Sequence, residues 1–313
     1  VSKTVLIAGG AGFIGSHLCD FFLKMDYLVI AVDNLITGNI NNLKNSFKNS
    51  NFKFINHDII NPLNVNCSVD YILNFASPAS PKFFIKYPLE TLFSGSFGTK
   101  NLIELAIEKN AKILVASTSE IYGDPLEHPQ KESYYGNVNT TGPRSVYDES
   151  KRFQETLVYS YHKKNNLDIS IARIFNTYGP RMDILDGRVV PNFIINSLNS
   201  DELHIYGDGK QTRSFCYIDD MVDGLYKLLL SNTTMPINLG NPDEITIEKL
   251  ADEIIDLSGK KINKKYFPIG QNDPKKRKPD ISMAIDKLNW KPQISRKVGI
   301  EKTFEYFSQQ IKS

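Results

Sequence analysis

VLIAGGAGFIGSHL, residues 5–18, passes from a short apolar run into a Gly-x-x-Gly-x-x-Gly turn at Gly9, Gly12 and Gly15, then into a helix-period stretch over Phe13–Lys24. Glycines at this spacing permit a tight strand-to-helix turn and let backbone approach a bound group closely. A glycine triplet alone is a weak signal, and its bland alternative is a plain turn. Here a strand precedes it, an amphipathic helix follows, and a second apolar run, Leu28–Val32, ends at Asp33, 18 residues beyond Gly15. That order is a βαβ unit.

Working outward, β-branched runs recur at Phe52–Ile55, Tyr71–Phe75, Ile113–Ala116 and Ile169–Ala172, with helical stretches at Leu89–Lys109 and Val146–Lys163. Strands alternating with helices predict an α/β fold, a doubly wound parallel sheet covered on both faces. After Gly179-Pro180-Arg181 the pattern is less regular: a strand at Leu203–Tyr206, a strand and helix over Phe215–Leu230, a strand at Ile237–Leu239 and a helix from Thr246. We expect residues 1–180 to form a Rossmann domain with a return segment at about 212–241, and residues 181–211 and 242–313 to form a smaller interleaved substrate lobe. The polar, Asn-rich stretch Asn34–Asn51 reads as a flexible loop.

Composition bounds the function. The 313 residues, 41% hydrophobic and 23% charged, suffice for a large core without disulfides. The 37 basic and 35 acidic residues nearly cancel, so nucleic acid is not an implied partner. Cys19, Cys67 and Cys216 lack metal-ligand spacing and read as apolar side chains in a reducing, cytoplasmic setting. No metal is expected. No run approaches the roughly 18 apolar residues of a membrane helix, although the chain starts at Val1 and a removed N-terminal anchor is compatible with it.

The motif places a pyrophosphate on the glycine turn and helix N-terminus, with Asp33 accepting from the adenosine ribose hydroxyls and repelling a 2′-phosphate, which selects NAD over NADP. Asp58 is a further candidate at the adenine end. Tyr147 and Lys151 are four apart and share a helix face, where an ammonium beside a phenol favours phenolate and makes Tyr147 a base near neutral pH. Alone, such a pair is common on solvated helix faces. Its weight comes from Thr118-Ser119-Glu120 at the end of the fifth strand, where open α/β sheets bind ligands, and Ser119 is expected beside Tyr147. The run Lys275–Lys278 reads, from charge alone, as a solvated surface or a nucleic-acid patch.

Twelve segments carry a resemblance: GGAGFIGSHL (9–18), VDNLITG (32–38), INHDI (55–59), ASPASP (76–81), ASTSEIYGDP (116–125), HPQ (128–130), YDESKR (147–152), ARIFNTYGPRM (172–182), DGRVVPNFI (186–194), YGDGKQTRSF (206–215), NLGNP (238–242) and NDPKKRKPD (272–280). Across nearly its whole length the chain resembles the UDP-glucuronate decarboxylases of the extended short-chain dehydrogenases. Sugar 4,6-dehydratases of that group typically carry Asp where Ser119 stands, and epimerases lack the acid at Glu120.

The resemblance implies NAD as cofactor, held by Gly9, Gly12, Phe13, Ile14, Gly15, Asp33, Asn34, Thr37, Gly38, Asp58, Ile59, Ala76, Tyr147 and Lys151. It implies a UDP-sugar substrate touching Pro81, Asn176, Arg188, Val190, Tyr206, Arg213 and Arg277, with Thr118, Ser119, Glu120, Tyr147, Lys151 and Arg277 catalytic. Tyr147 is the implied C4 base. Glu120 and Arg277 are implied at the decarboxylation and protonation stage. It also implies a homodimer built on the Leu89–Lys109 and Val146–Lys163 helices. One departure stands out: the family usually carries Asn where Gly95 stands, supporting the active-site helix and a water relay, so Gly95→Asn is expected to be tolerated. Rival readings are release of the 4-keto pentose, apiose/xylose synthesis, 4-epimerisation, and a non-catalytic NAD-binding regulator.

Overall fold

The computed structural model describes residues 2–268 and 276–312. Its elements in chain order are β1 (Thr4–Ala8), α1 (Phe13–Lys24), β2 (Leu28–Asp33), β3 (Phe52–Asn56), β4 (Tyr71–Asn74), α2 (Pro81–Lys86), α3 (Pro88–Phe93), α4 (Thr99–Lys109), β5 (Lys112–Thr118), α5 (Ser145–Asn165) and β6 (Ile169–Ile174). There follow β7 (Thr177–Tyr178), α6 (Val189–Asn199), β8 (Glu202–Tyr206), β9 (Thr212–Ser214), β10 (Cys216–Tyr217), α7 (Ile218–Leu230), β11 (Pro236–Leu239), β12 (Glu244–Thr246), α8 (Ile247–Ser258), β13 (Asn263–Phe267), β14 (Lys276–Arg277), α9 (Ser282–Leu288) and α10 (Arg296–Lys312).

Seven strands form one sheet in the order β11-β6-β5-β4-β1-β2-β3, every pair parallel. The α/β reading of the sequence is therefore correct. Alternation along the strands sends Val5 and Ile7 to one face, with Leu18 and Phe22 of α1 and Leu225 and Leu228 of α7. Leu6 and Ala8 face the other way, onto Leu102 and Ile103 of α4 and Val158 of α5. The first of these layers runs on without a break into Ile194, Ile254 and Trp290 of the C-terminal elements, so truncating one such core leucine costs about 2–5 kcal/mol. The chain order reverses between β1 and β4, which opens a crevice at the strands' C-terminal ends. The smaller sheets, β8 with β13 and β12-β9-β14, rise beside it.

One expectation needs correction. The Asn34–Asn51 stretch is not a loose loop. It folds into two 3-10 turns at Ile40–Leu43 and Ser46–Lys48, with Leu43 buried, Asn39 accepting from the Asn41 amide at 3.0 Å, Asn42 donating to the Ala11 carbonyl at 3.0 Å and Ser46 to Asp20 at 2.8 Å. Its asparagines are spent on local turn bonds. The Leu89–Lys109 stretch is helical throughout as expected, α3 running through a π turn at Ser94–Gly98 into α4 with helical dihedrals at both junctions.

Among the described residues, no helix is long and apolar enough to cross a membrane. No cluster of His, Cys, Asp or Glu suited to a metal occurs among them either.

Candidate active site

The turn between β1 and α1 is built by backbone. Gly9 has φ +78°, and a Cβ there would lie 2.6 Å from the Phe75 carbonyl carbon, while one on Gly15 would overlap the Gly9 carbonyl oxygen. Gly12 caps α1 in extended conformation with no side-chain cap, so the first amides of the helix open onto the cavity. Asp33, 8% exposed, accepts from the Ala11 amide at 3.0 Å and the Leu35 amide at 2.9 Å. Burial pushes its carboxyl upward against those two bonds. Each oxygen keeps a lone-pair direction beyond the backbone bond it takes.

A cavity of about 950 Å³ runs from this turn across the strand ends to the C-terminal elements. Gly9, Gly12, Phe13, Ile14, Gly15, Thr37, Pro81, Thr118, Ser119, Glu120, Tyr147, Lys151, Asn176, Arg188, Val190, Tyr206, Arg213 and Arg277 line it. A recess of about 70 Å³ beside the turn is lined by Asp33, Asn34, Gly38, Asp58, Ile59 and Ala76. Asn34 donates to Asp58 at 3.0 Å, tying the ends of that recess. The structure thus places every sequence-selected site residue on one of two adjoining cavities that share Gly9, Gly12 and Thr37. Residues 272–275 of the NDPKKRKPD segment lie outside the described residues.

Register explains how distant segments meet. β14 pairs with β9 in parallel, setting Arg277 opposite Arg213. Arg277 is 4% exposed and donates to Glu120 and, at 3.3 Å, to the Gly123 carbonyl. Arg277 is thus withdrawn from solvent, whereas Lys276 beside it is exposed. Glu120 is the second residue of the 3-10 turn Ser119–Tyr122 after β5, where Thr118 Oγ1 accepts its amide at 3.2 Å. A second guanidinium, Arg144, reaches Glu120 Oε2 at 2.8 Å. Burial opposes ionisation of Glu120, but Arg277 and Arg144 outweigh it and hold the carboxyl down at about 2. Arg188 pairs with Asp186, Nη2 to Oδ2 at 2.6 Å.

Tyr147 is buried, stacked on Phe84 with ring centres 5.3 Å apart, and its phenol hydrogen-bonds the Thr118 hydroxyl. The expectation of a phenol poised near neutrality is not met: burial, then the Glu120 charge, push it up to about 12. Lys151 Nζ lies 5.8 Å from the Tyr147 ring centre, and its ammonium donates to the Ala116 carbonyl at 2.8 Å. Burial draws Lys151 down to about 8.

Sequence reasoning missed three residues. Arg144 carries half of the Glu120 clamp and lies 5.8 Å from the Phe84 ring. Phe84 floors Tyr147. Asp148, 5% exposed, is pushed up to about 7 by burial and then by Glu120. Arg144 stands three residues before Tyr147 and four before Asp148, but that spacing alone does not distinguish it from a solvated arginine.

Gly95 also differs from expectation. A Cβ at this position would overlap the Ser150 hydroxyl and come within 2.9 Å of the Ser150 carbonyl oxygen, so there is no room for Asn. Ser150 fills that space and donates to the Thr91 carbonyl at 3.0 Å, joining α5 to α3.

The sequence pattern of the GDP-mannose 4,6 dehydratase family matches residues 6–303. UDP-glucuronic acid decarboxylase 3 of Arabidopsis thaliana is 49% identical over 95% of this chain and 86% of its own length. UDP-glucuronic acid decarboxylase 1 of Danio rerio is 46% identical over 99% of this chain and 73% of its own. The chain belongs to this family. Among solved structures, UDP-glucuronic acid 4-epimerase from Bacillus cereus, in complex with UDP-glucuronic acid and NAD, superimposes with a TM-score of 0.88 at 30% identity, covering 98% of this chain and all of that one. The resemblance drawn from the twelve segments is correct at family level.

Proposed function

We propose that the protein decarboxylates UDP-glucuronate to UDP-xylose on a resident NAD that is regenerated in each cycle. The observation that carries this reading is the Glu120 clamp. Two guanidinium groups, the buried Arg277 and the half-buried Arg144, meet one carboxylate beside Tyr147. Taken alone the trio has a net charge of +1, and although both arginines also act on the buried Asp148, whose carboxyl is pushed up to about 7, this balance favours a further carboxylate such as that of a glucuronate.

The residues fit NAD: the first amides of α1, left uncapped after Gly12, would face a pyrophosphate, and Asp33 retains acceptor directions for ribose hydroxyls. When bound, NAD supplies a hydride acceptor for C4 and a positive charge that favours phenolate at Tyr147. Tyr147 takes the C4 hydroxyl proton, and Thr118 hydrogen-bonds the phenol through the exchange. The resulting β-keto acid loses carbon dioxide, leaving an enolate whose oxygen lies with Tyr147 and Thr118. One proton is then consumed at C5. Glu120 is ionised, so it is suited to orient a proton-bearing water there rather than to donate a proton of its own. Tyr147 would give its proton back to the C4 oxygen as that carbon is reduced again, which closes the cycle.

Exposed Leu89 and Phe93 on α3, Phe97 in the π turn, and Phe153 and Tyr159 on α5 support pairing with a second copy of the chain. Light scattering should return twice the monomer mass.

The test of the reaction is product identification by NMR from purified protein given UDP-glucuronate without added NAD. UDP-xylose and carbon dioxide in equal amounts are expected. Turnover of UDP-galactose with UDP-glucuronate untouched would refute the assignment, and accumulation of the 4-keto pentose would limit it to the first half-reaction.

A further inference from the structure

Lys151 is held by more than the strand carbonyl beneath it. Its ammonium also donates to Gln154 Oε1 at 3.3 Å, one turn further along α5. Gln154 has no exposed surface. Its amide nitrogen donates to Thr99 Oγ1 at 3.0 Å, the same oxygen accepts from Asn74 Nδ2 at 3.1 Å, and the Thr99 hydroxyl donates to the Ser94 carbonyl at 3.2 Å. Asn74 Oδ1 accepts the Ala76 amide at 3.3 Å, which returns the chain to the recess beside Asp33. Thr99 and Asn74 are likewise fully buried.

This path has one sense. An ammonium only donates, so Gln154 must turn its oxygen to Lys151 and its NH2 to Thr99. Thr99 then accepts two bonds and gives one, using its full capacity. A buried amide costs free energy unless its partners are made, and an apolar side chain of equal size would fill the same space without that demand. A closed network of this kind is rigid because no member can rotate alone.

We infer that Gln154 is a positioning residue for Lys151: oriented by Thr99, its carbonyl oxygen fixes the ammonium beneath the substrate face of Tyr147. The inference rests on the catalytic reading of Tyr147 and Lys151 given above. An amide oxygen accepting from an ammonium favours the cation, opposing burial. Tyr147 is the titratable group facing Lys151, while Glu120, Arg188 and Asp148 bear on the phenol. The groups offered to this network by β4, β5, α4 and the π turn are uncharged: the Asn74 amide, the Ala116 carbonyl, the Thr99 hydroxyl and the Ser94 carbonyl.

The test is Gln154→Met, which keeps volume and removes the acceptor, beside Gln154→Glu, which strengthens it. With lysine labelled at Cε and the Lys151 resonance assigned by Lys151→Met, NMR should show Lys151 titrating about one pH unit lower in Gln154→Met and higher in Gln154→Glu. The alkaline limb of the turnover profile should move with it, about tenfold in rate at a pH on that limb. Superimposed Lys151 titrations in folded parent and Gln154→Met overturn the inference. If Gln154→Met does not fold, Thr99→Val, which removes the orienting hydroxyl, must produce the same downward shift or the inference fails. Shifted titrations in a protein inert to UDP-glucuronate would leave this inference standing and sink the assigned reaction instead.

Discussion

The cofactor end and the substrate end of the crevice are made in opposite ways. At the first, backbone of one contiguous stretch, Gly9 to Gly15, forms the pyrophosphate cradle where an added side chain would clash, and the Asp33 carboxylate flanks it from the end of β2. At the second, Glu120, Arg144 and Arg277 come from three separate segments and meet only because β14 lies along β9 and the helix bearing Tyr147 begins beside the turn after β5. A backbone-built site is local in sequence and intolerant of any added atom. A side-chain-built site is dispersed, and its tolerance depends on charge.

The largest expected effect sits at the cofactor end. Gly15→Val would drive side-chain atoms into the Gly9 carbonyl, costing about 3 kcal/mol or more and removing NAD binding. Fluorescence titration with NADH and a melting curve check it. Retained NADH affinity in a stable Gly15→Val protein would break the claim that this end tolerates no added atom.

Next is Tyr147→Phe. Removing the phenolic oxygen should lower turnover about 10²–10⁴-fold while leaving NAD and UDP-sugar affinity near the parent's. Single-turnover absorbance at the NADH band separates the two; near-parental turnover would remove Tyr147 from the chemistry.

A smaller effect is expected at Gly95→Asn, which should destabilise by about 1–3 kcal/mol because the new Cβ overlaps Ser150. Adding Ser150→Gly should recover part of the loss, since the carbonyl at 2.9 Å remains. A Gly95→Asn protein as stable as the parent in urea would contradict that packing.

Smallest is Asp148→Asn. The Asp148 carboxyl is at about 7 in the folded chain against an ordinary 3.8, so the folded state binds this proton more tightly and stability falls as pH rises through that window. Asn has nothing to titrate, and the variant should melt about 2–4 °C higher than the parent at pH 8 and no higher at pH 4. Equal melting at pH 8 would show that burial does not strain Asp148.

The same contrast explains what the sequence made legible. The βαβ unit, Asp33 and the Tyr147–Lys151 pair could be read because spacing along one helix or one turn determines geometry. Arg144 could not, since nothing local distinguishes an arginine before a helix from a solvated one until Glu120 is seen across the gap. The phenol's upward displacement was likewise hidden: it depends on burial against Phe84 and on the Glu120 charge, neither of which is a property of a Tyr-x-x-x-Lys spacing. Gly95 read as a lost side chain, and only the facing Ser150 shows that the space had been taken. The asparagines of Asn34–Asn51 read as loop because their turn bonds leave no period in sequence.

The central claim is that two guanidinium groups set against one carboxylate select a substrate bearing a second carboxylate. Calorimetric titration of UDP-glucuronate and UDP-glucose into the parent and into Arg144→Gln tests it most directly. The account predicts at least about tenfold tighter binding of UDP-glucuronate to the parent, with that margin largely lost in Arg144→Gln while UDP-glucose affinity is unchanged. Equal affinity of the parent for the two ligands, or an undiminished preference in Arg144→Gln, would contradict it.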